Sequence, residues 1–255
     1  MRRFFIESLD LVGNPIGAKM SAENRIFLTP EEALAAIRID FNQYPPQNRL
    51  FLDLGPLILG PEHALIEDPH HDSVWITAPE KGRGRMRKCN FRELGDYLCH
   101  TLEKIRPDPK RLADLCARVF DANAYAAKNG SEGHEGIWLE TGMDEFECRQ
   151  CGRCCRNLDY RFELTETDYQ LWQRLGRTDI MEWVAAFRRN GGTISYAIWI
   201  TPGTRNYASD CPWLKKIPGT DRWECTIHDV KPEVCREYPA SRKHAQMTGC
   251  EAFRK

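Results

Sequence analysis

The sequence lacks an excess of charge of either sign, and it lacks a long apolar run. Its 36 Lys and Arg residues nearly balance 37 Asp and Glu residues, so the formal net charge of the 255-residue chain is −1. Without a strong field of one sign, the composition does not predict binding to nucleic acid or to an acidic membrane surface. No stretch approaches the roughly 18 to 20 apolar residues of a membrane-spanning helix. We therefore expect a folded, soluble protein without a membrane partner.

An export signal is also missing from the sequence. Arg2 and Arg3 are similar to the start of a twin-arginine signal, but Glu7 and Asp10 interrupt the apolar run that must follow. We expect a cytoplasmic protein, whose thiols stay reduced.

Common catalytic signatures are absent as well. The chain contains no Walker loop, dinucleotide fingerprint, nucleophile elbow or HExxH motif. The sequence therefore leaves open whether the protein is an enzyme.

Cysteine, in contrast, is abundant and unevenly distributed. Of eleven cysteines, three lie in the first half, and the other eight follow from Cys148 onward. In a reducing compartment, clustered thiols favour metal binding over disulfides. The candidate metal ligands are Cys148, Cys151, Cys154, Cys155, Cys211, Cys225, Cys235 and Cys250.

The densest group lies in ECRQCGRCCRN. Three of its thiols have CxxCxxC spacing, which allows a tight turn to direct successive thiolates at one point, and Gly152 permits the positive φ that such a turn often needs. The fourth thiol follows directly as Cys155, whereas a bacterial ferredoxin motif places it after three further residues and before Pro. CxxxCxxC, the spacing of radical S-adenosylmethionine enzymes, does not match either. Both of these classes are therefore disfavoured.

The adjacent pair Cys154 and Cys155 allows two interpretations. Neighbouring side chains point in different directions, so one thiol serves a second site, or one is a spare beside a single cluster. A disulfide between adjacent residues would be strained.

The remaining cysteines have simpler interpretations. Cys99 and Cys116 lie in predicted helices among Leu and Ala, where a thiol is typically a small buried hydrophobe. Cys89 follows the basic run 81–88 and is predicted to lie in an exposed loop.

The pattern of elements predicts an α+β fold. An N-terminal α/β region of unknown role covers residues 1–135, and a mainly helical, metal-stapled cysteine-cluster domain with short strands covers residues 136–255. The glycine-rich segment 130–136 suggests the linker between them.

Helix-capping signals locate several helices. Starts are predicted at Thr29-Pro30, Asn90 and Asp108-Pro109, the last helix running to Asn129. Further helices are predicted after Thr165 and over residues 178–189.

Strands and a short turn complete the prediction. Residues 50–60, 73–79 and 193–200 read as strands from their apolar and β-branched content. Pro232 is expected to open a helical turn that contains Cys235, where the helix dipole favours a thiolate.

Taken together, FECRQCGRCCRN, CPWL and CTIHDVKPEVCREYP resemble the CxxCxxCC (YkgJ-like) family of zinc- or iron-chelating proteins over about residues 146–250. The resemblance implies metal binding by Cys148, Cys151, Cys154, Cys155, Cys211, Cys225 and Cys235, with Cys250 as the eighth ligand. His228 and Lys231 depart from the family's usual Tyr and Arg.

An iron–sulfur cluster, for example a [4Fe-4S] cluster, is the expected cofactor, with a role in redox chemistry or electron transfer and an unidentified redox partner. The alternative is Zn²⁺ in a structural adaptor that binds another protein. A third hypothesis, from similarity to the cysteine cluster of flagellin lysine methylases, is a protein-modifying enzyme. Arg149, Arg153, Arg156 and Arg236 either offset the charge of the thiolates or are solvated surface.

Overall fold

The computed structural model describes residues 24–78, 85–129, 133–188 and 194–253. Contacts divide the chain into two compact units, with the boundary between Gly142 and Met143. We call the described residues before and after this boundary the N-terminal unit and the C-terminal unit. The boundary expected after residue 135 falls inside a strand that pairs with two strands of the N-terminal unit, which is why the observed boundary comes later.

The N-terminal unit combines helices with two antiparallel sheets, in the strand orders β1-β6-β5 and β2-β3-β4. This arrangement confirms a mixed α+β fold, because helices and antiparallel strands occur together. In chain order, the described elements are β1 (Arg25–Leu28), α1 (Pro30–Gln43), α2 (Asn48–Leu59), β2 (Ala64–Asp68), β3 (Ser73–Ala78), β4 (Arg85–Asn90), α3 (Phe91–Ile105), α4 (Pro109–Phe120), β5 (Ala124–Asn129) and β6 (His134–Glu140).

Helix starts in this unit follow the predicted capping signals. The Thr29 hydroxyl accepts a hydrogen bond from the Glu32 N–H at 3.2 Å, and the Glu32 carboxylate accepts one from the Thr29 N–H at 2.8 Å. Asn90 and Glu93 repeat this reciprocal pair at α3. These starts are confirmed because a cap depends on residues only three apart in sequence.

The strand predicted over residues 50–60 is wrong, because this segment forms most of helix α2. Phe51, Leu54 and Ile58 are spaced three and four apart and are all buried. That spacing directs them to one face of a helix. Pro56 lies within the helix without ending it.

The helix predicted to run to Asn129 is too long. Helix α4 ends at Phe120, where Asp121 adopts a left-handed conformation with φ of 49°. The residues that follow form β5, which pairs with β6. Pairing with a distant segment overrides the local preference of Ala124–Asn129 for a helix.

The three cysteines of the N-terminal unit are buried. Cys99 and Cys116, which are 7% and 0% exposed, pack as small hydrophobes, as predicted. Burial raises the pKa of each of these two thiols to about 12. The exposed loop predicted for Cys89 is wrong: Cys89 lies in β4 and is 5% exposed. Part of the basic run, residues 81–84, lies outside the described residues.

The C-terminal unit contains short helices and two antiparallel strand pairs, β7-β8 and β9-β10. Among the described residues of the helix predicted over 178–189, only the first turn forms, and Val184–Arg188 pair as strand β7. Residue 189 lies outside the described residues. The described elements are α5 (Arg153–Asn157), α6 (Glu166–Arg174), α7 (Thr178–Met181), β7 (Val184–Arg188), β8 (Ile194–Ile198), β9 (Leu214–Lys216), β10 (Trp223–Cys225), α8 (Glu233–Arg236) and α9 (Arg242–Met247).

The core of this unit is aromatic and lies beside part of the cysteine set. Trp172 is fully buried, and its indole N–H donates to the Val230 carbonyl at 2.7 Å. Trp199 packs against it with ring centroids 6.2 Å apart. Cys211 and Cys225 contact this core from its edge, so the core fixes the positions of two thiols.

In the described parts of both units, we find no helix with the length and apolar character needed to cross a membrane.

Candidate metal centre

The eight candidate ligands lie on turns, at the end of a short strand and within two short helices of the C-terminal unit. All are free thiols; Cys148 is exposed and the others are half-buried. Loops and turns are able to carry several ligands because their side chains are not committed to a sheet or a helix face. The structure therefore leaves these thiols near the surface rather than in the core.

The first cysteine segment, ECRQCGRCCRN, begins with a tight turn that contacts β10. Gln150 and Gly152 have left-handed backbones, with φ of 57° and 67°. A Cβ on Gly152 would lie 2.9 Å from Cγ of Trp223, and the Trp223 N–H donates to the Gln150 carbonyl at 2.7 Å. The glycine is thus needed both for its φ and for the close approach of Trp223.

Helix α5 carries the adjacent pair. The sulfur atoms of Cys154 and Cys155 lie 3.9 Å apart, which is well beyond the length of a disulfide bond. The pKa of Cys154 is raised by its hydrogen bond with Cys155 and by burial. The pKa of Cys155 is raised to about 12: its bond with Cys154 lowers it, whereas a hydrogen bond with Cys211 and burial raise it.

The β9-β10 hairpin brings Cys211 and Cys225 together. Cys225 pairs with Leu214 in the hairpin register, and the Leu214 N–H donates to the Cys211 carbonyl at 3.1 Å. The Ile227 N–H donates to the sulfur of Cys225, which partly offsets the increase in the pKa of this thiol caused by burial. An N–H group aimed at sulfur stabilises the thiolate form.

Cys235 lies in helix α8, the short turn opened by Pro232, as predicted. The Asp168 carboxylate holds this turn in place, accepting the Glu233 N–H at 3.0 Å and the Arg236 guanidinium at 3.1 Å. Asp168 is 1% exposed. Burial raises the pKa of Cys235, and the neighbouring Cys155 and Cys154 raise it further.

The last thiol, Cys250, follows helix α9. Its own N–H donates to the Ala245 carbonyl at 2.8 Å. The Ala252 N–H donates to its sulfur, while burial and the nearby Cys151 and Cys154 raise its pKa. The C-terminal segment therefore approaches the first cysteine segment.

These electrostatic contacts separate the thiols into two groups. Cys154 interacts with members of both groups. Among the described residues, Cys148 makes no contact that would assign it to either thiol group. The first thiol group is Cys155, Cys211, Cys225 and Cys235. The second thiol group is Cys151, Cys154 and Cys250.

Three of the four predicted arginines bind specific protein groups, and Arg153 also interacts electrostatically with Cys151, in line with the first of the two sequence interpretations. Arg153 makes two hydrogen bonds to the Glu251 carboxylate, at 2.8 and 2.9 Å. Arg156 donates to the carbonyls of Cys151 and Gly152 and lies over the Trp223 ring. Together with Arg236 on Asp168, these contacts tie the cysteine segments to one another.

The donor set suits a thiophilic metal ion. Thiols from separate segments raise one another's pKa, so a cation among them would reverse the penalty on the thiolate form. The hydroxyl group of Tyr160 is buried and has no hydrogen-bond partner. Among neighbouring charges, Cys235 has the largest effect on the pKa of this hydroxyl and raises it. Within the described ranges, no three His, Cys, Asp or Glu side chains already form a coordination shell. The residues therefore fit a thiophilic metal by their donor chemistry and by their neighbourhood.

A cavity of about 180 Å³ lies beside the first thiol group. Cys155, Cys211 and Cys235 form one side of it, and Tyr160 and Trp199 also line it. Since structural zinc sites are usually closed whereas reactive metal sites keep an open side, this cavity makes the first thiol group accessible from one direction.

Sequence reasoning gave Asp168 only a role at a helix start, and it missed Glu251 and Tyr160. Asp168 carries a sequence signal, as the last residue of the capping box with Thr165, but its bonds to helix α8 join residues 65 and more apart. Nothing local in the sequence marks Glu251 or Tyr160.

The comparisons with known proteins agree with the chemistry of this unit. Residues 147–252 match the CxxCxxCC family model, described as "Putative zinc- or iron-chelating domain". Searches of the curated proteins and of the solved structures found no match to the chain. The matched range contains all eight candidate ligands, and it begins shortly after the N-terminal unit ends. The similarity of this chain to the CxxCxxCC family therefore covers residues 147–252, which lie in the C-terminal unit.

Proposed function

We propose that the CxxCxxCC domain holds an iron–sulfur cluster through its cysteine thiolates and serves in electron transfer or redox chemistry in the cytoplasm. The observation that carries the proposal is the convergence of thiols from five separate segments into two neighbouring groups. Iron–sulfur clusters are bound by thiolates, and their potentials respond to hydrogen bonds and exposure. The proposed ligands are Cys148, Cys151, Cys154, Cys155, Cys211, Cys225, Cys235 and Cys250.

Exposure of the thiols supports a redox role. None of the eight candidate ligands is fully buried, and one side of the first thiol group faces the cavity. An electron-transfer centre has to lie near the surface, because its partner exchanges electrons with it there. A purely structural metal has no such requirement.

A second candidate function is a zinc-stapled adaptor that binds another protein. The separation of the thiols into two groups favours this adaptor function, because two zinc sites with four thiolates each would use all eight candidate ligands. In this case Cys148 would complete the second thiol group as its fourth ligand.

Anaerobic purification followed by analysis of iron, zinc and acid-labile sulfide distinguishes the two functions. We expect a brown protein with iron and sulfide. The variant Cys235→Ser should lose metal, whereas Cys116→Ser, a buried thiol of the N-terminal unit, should keep it. A colourless protein with stoichiometric zinc would reject the iron–sulfur proposal and support the adaptor.

A further inference from the structure

Tyr160 has a hydroxyl group that no sequence motif and no comparison accounts for. It lies in the loop after helix α5, and its ring packs against the aromatic core of the C-terminal unit. The Oη atom is buried and has no hydrogen-bond partner. Buried hydroxyls are nearly always hydrogen-bonded in native proteins, so an orphan donor calls for a missing partner.

The surroundings of this hydroxyl identify the kind of partner. Tyr160 lines the same cavity as Cys155, Cys211 and Cys235. Tyr160 also packs, like Cys211 and Cys225, against the aromatic core of this unit. The hydroxyl is therefore a buried donor in a part of the structure that several candidate thiols share.

The strength of a cysteine sulfur atom as a hydrogen-bond acceptor increases when the sulfur binds a metal. A neutral thiol is a weak acceptor, but a metal-bound thiolate or an inorganic sulfide carries negative charge and accepts strongly. Without metal, the Tyr160 hydroxyl is buried at a cost. With metal, the same hydroxyl has an anionic sulfur available beside it.

We propose that Tyr160 is a positioning residue of the metal centre, whose hydroxyl donates a hydrogen bond to an anionic sulfur once the thiols are loaded. This inference rests on the proposed function only in requiring a metal at the thiols, and it holds for an iron–sulfur cluster and for zinc. It assigns to the site a residue that is not a cysteine.

The experiment compares Tyr160→Phe with Tyr207→Phe. The first variant removes only the orphan hydroxyl. The second removes a hydroxyl from another tyrosine that lines the same cavity, whose ring lies 4.8 Å from the guanidinium carbon of Arg161 and whose oxygen is not among the buried atoms without a partner. Cd²⁺, a thiophilic ion, is titrated into each reduced, metal-free protein in competition with a chelator, and denaturant unfolding is measured with and without Cd²⁺.

The two variants should differ in their affinity for Cd²⁺, and metal-free Tyr160→Phe should show no loss of stability. Metal-free Tyr160→Phe should unfold at the same denaturant concentration as the wild type or at a higher one, because the variant no longer buries an unpaired donor. Its affinity for Cd²⁺ should fall about tenfold or more, the usual loss when a group that supports a metal ligand is removed. Tyr207→Phe should change the Cd²⁺ affinity little.

Three outcomes would overturn the proposal. Equal Cd²⁺ affinity in wild type and Tyr160→Phe would show that the hydroxyl pairs with water in the cavity. Equal destabilisation of Tyr160→Phe with and without Cd²⁺ would show an ordinary packing role. Wild-type protein that takes up no metal would reject the proposed function itself, which the wild-type titration reveals before any variant is compared.

Discussion

Cys154 and Cys155 are neighbours in sequence, yet they belong to different thiol groups. Their sulfur atoms lie 3.9 Å apart. Cys211 raises the pKa of Cys155, whereas Cys154 raises the pKa of Cys250. The pair therefore lies where the two thiol groups meet, and Cys154 has neighbours in both. We interpret this arrangement as two ligand environments.

Single serine variants of this pair test that interpretation. Cys155→Ser should lose part of the bound metal, because it removes one member of the first thiol group. Cys154→Ser should lose more, because both groups lose a neighbour. Metal per protein is measured by elemental analysis after gel filtration, with Cys99→Ser as a control that keeps all of its metal. Undiminished metal in either variant of the pair would identify that residue as the spare.

At the same scale, His244 makes stability depend on pH. Burial lowers the pKa of His244 to about 4, and its Nδ1 atom accepts the Ala240 N–H at 3.2 Å. Because the folded-state pKa lies below the unfolded value of 6.5, the neutral ring stabilises the fold fully above pH 6.5. This contribution, on the order of 2 kcal/mol, should be lost as the pH falls from 6.5 towards 4.

The measurement is denaturant unfolding of the protein as purified at pH 7 and pH 4.5, with wild type and variant compared in parallel so that protonation of the cysteine thiolates contributes equally to both. His244→Asn is the matched variant, since its side-chain oxygen is able to accept the Ala240 N–H without titrating. The wild type should lose more stability than His244→Asn over this range. Parallel losses would show that the histidine is not responsible.

At the scale of elements, helix α8 illustrates how a very short helix is fixed. Four residues, Glu233–Arg236, are too few for a helix to be stable alone. Asp168, in the first turn of α6, accepts hydrogen bonds from the first N–H of α8 and from its last side chain. One carboxylate therefore positions the turn that carries Cys235.

Replacing Asp168 should release that turn. We expect Asp168→Asn to lower the free energy of unfolding by roughly 2 kcal/mol. The substitution removes a negative charge that pairs with the half-exposed Arg236, and the loss of this charge also weakens the hydrogen bond from the Glu233 N–H. Cys235 should also react faster with an alkylating reagent, as measured by mass spectrometry. Asp179→Asn, which removes an exposed ion pair with Arg177, should change neither quantity.

Elements that depend on neighbouring residues were predictable from the sequence, and elements that depend on distant contacts were not. The caps at Thr29, Asn90 and Thr165 were found because both partners lie three residues apart. Segment 124–129 was predicted as helix, but its pairing with β6 decides its conformation. The same applies to β7, which pairs with β8.

At the scale of the molecule, the two units differ in what stabilises them. The N-terminal unit buries long helices against its sheets, whereas the longest helix of the C-terminal unit has nine residues. We therefore expect metal removal to loosen the C-terminal unit first, since metal binding supplies folding free energy where the core is small. Residues 143–253 should lose protection from hydrogen exchange after chelation, while the N-terminal unit keeps it. Unchanged protection, or unchanged protease resistance, after complete chelation would contradict this.

The candidate ligands could be named from the sequence, but their arrangement could not. Spacing identifies Cys148, Cys151 and Cys154 as one turn, and the family pattern adds the later thiols. Which thiols become neighbours depends on contacts such as Arg153 with Glu251, which lie 98 residues apart. Only the folded chain shows that Cys250 approaches Cys151 and Cys154.

The wide separation of the thiols along the chain has a consequence during synthesis. About a hundred residues lie between Cys148 and Cys250, so at typical translation rates roughly 5 to 20 seconds pass between the appearance of the first thiol and the last. During this interval the emerging cysteines are reactive and incomplete as a site. A centre that uses both Cys148 and Cys250 is therefore complete only after Cys250 has been synthesised.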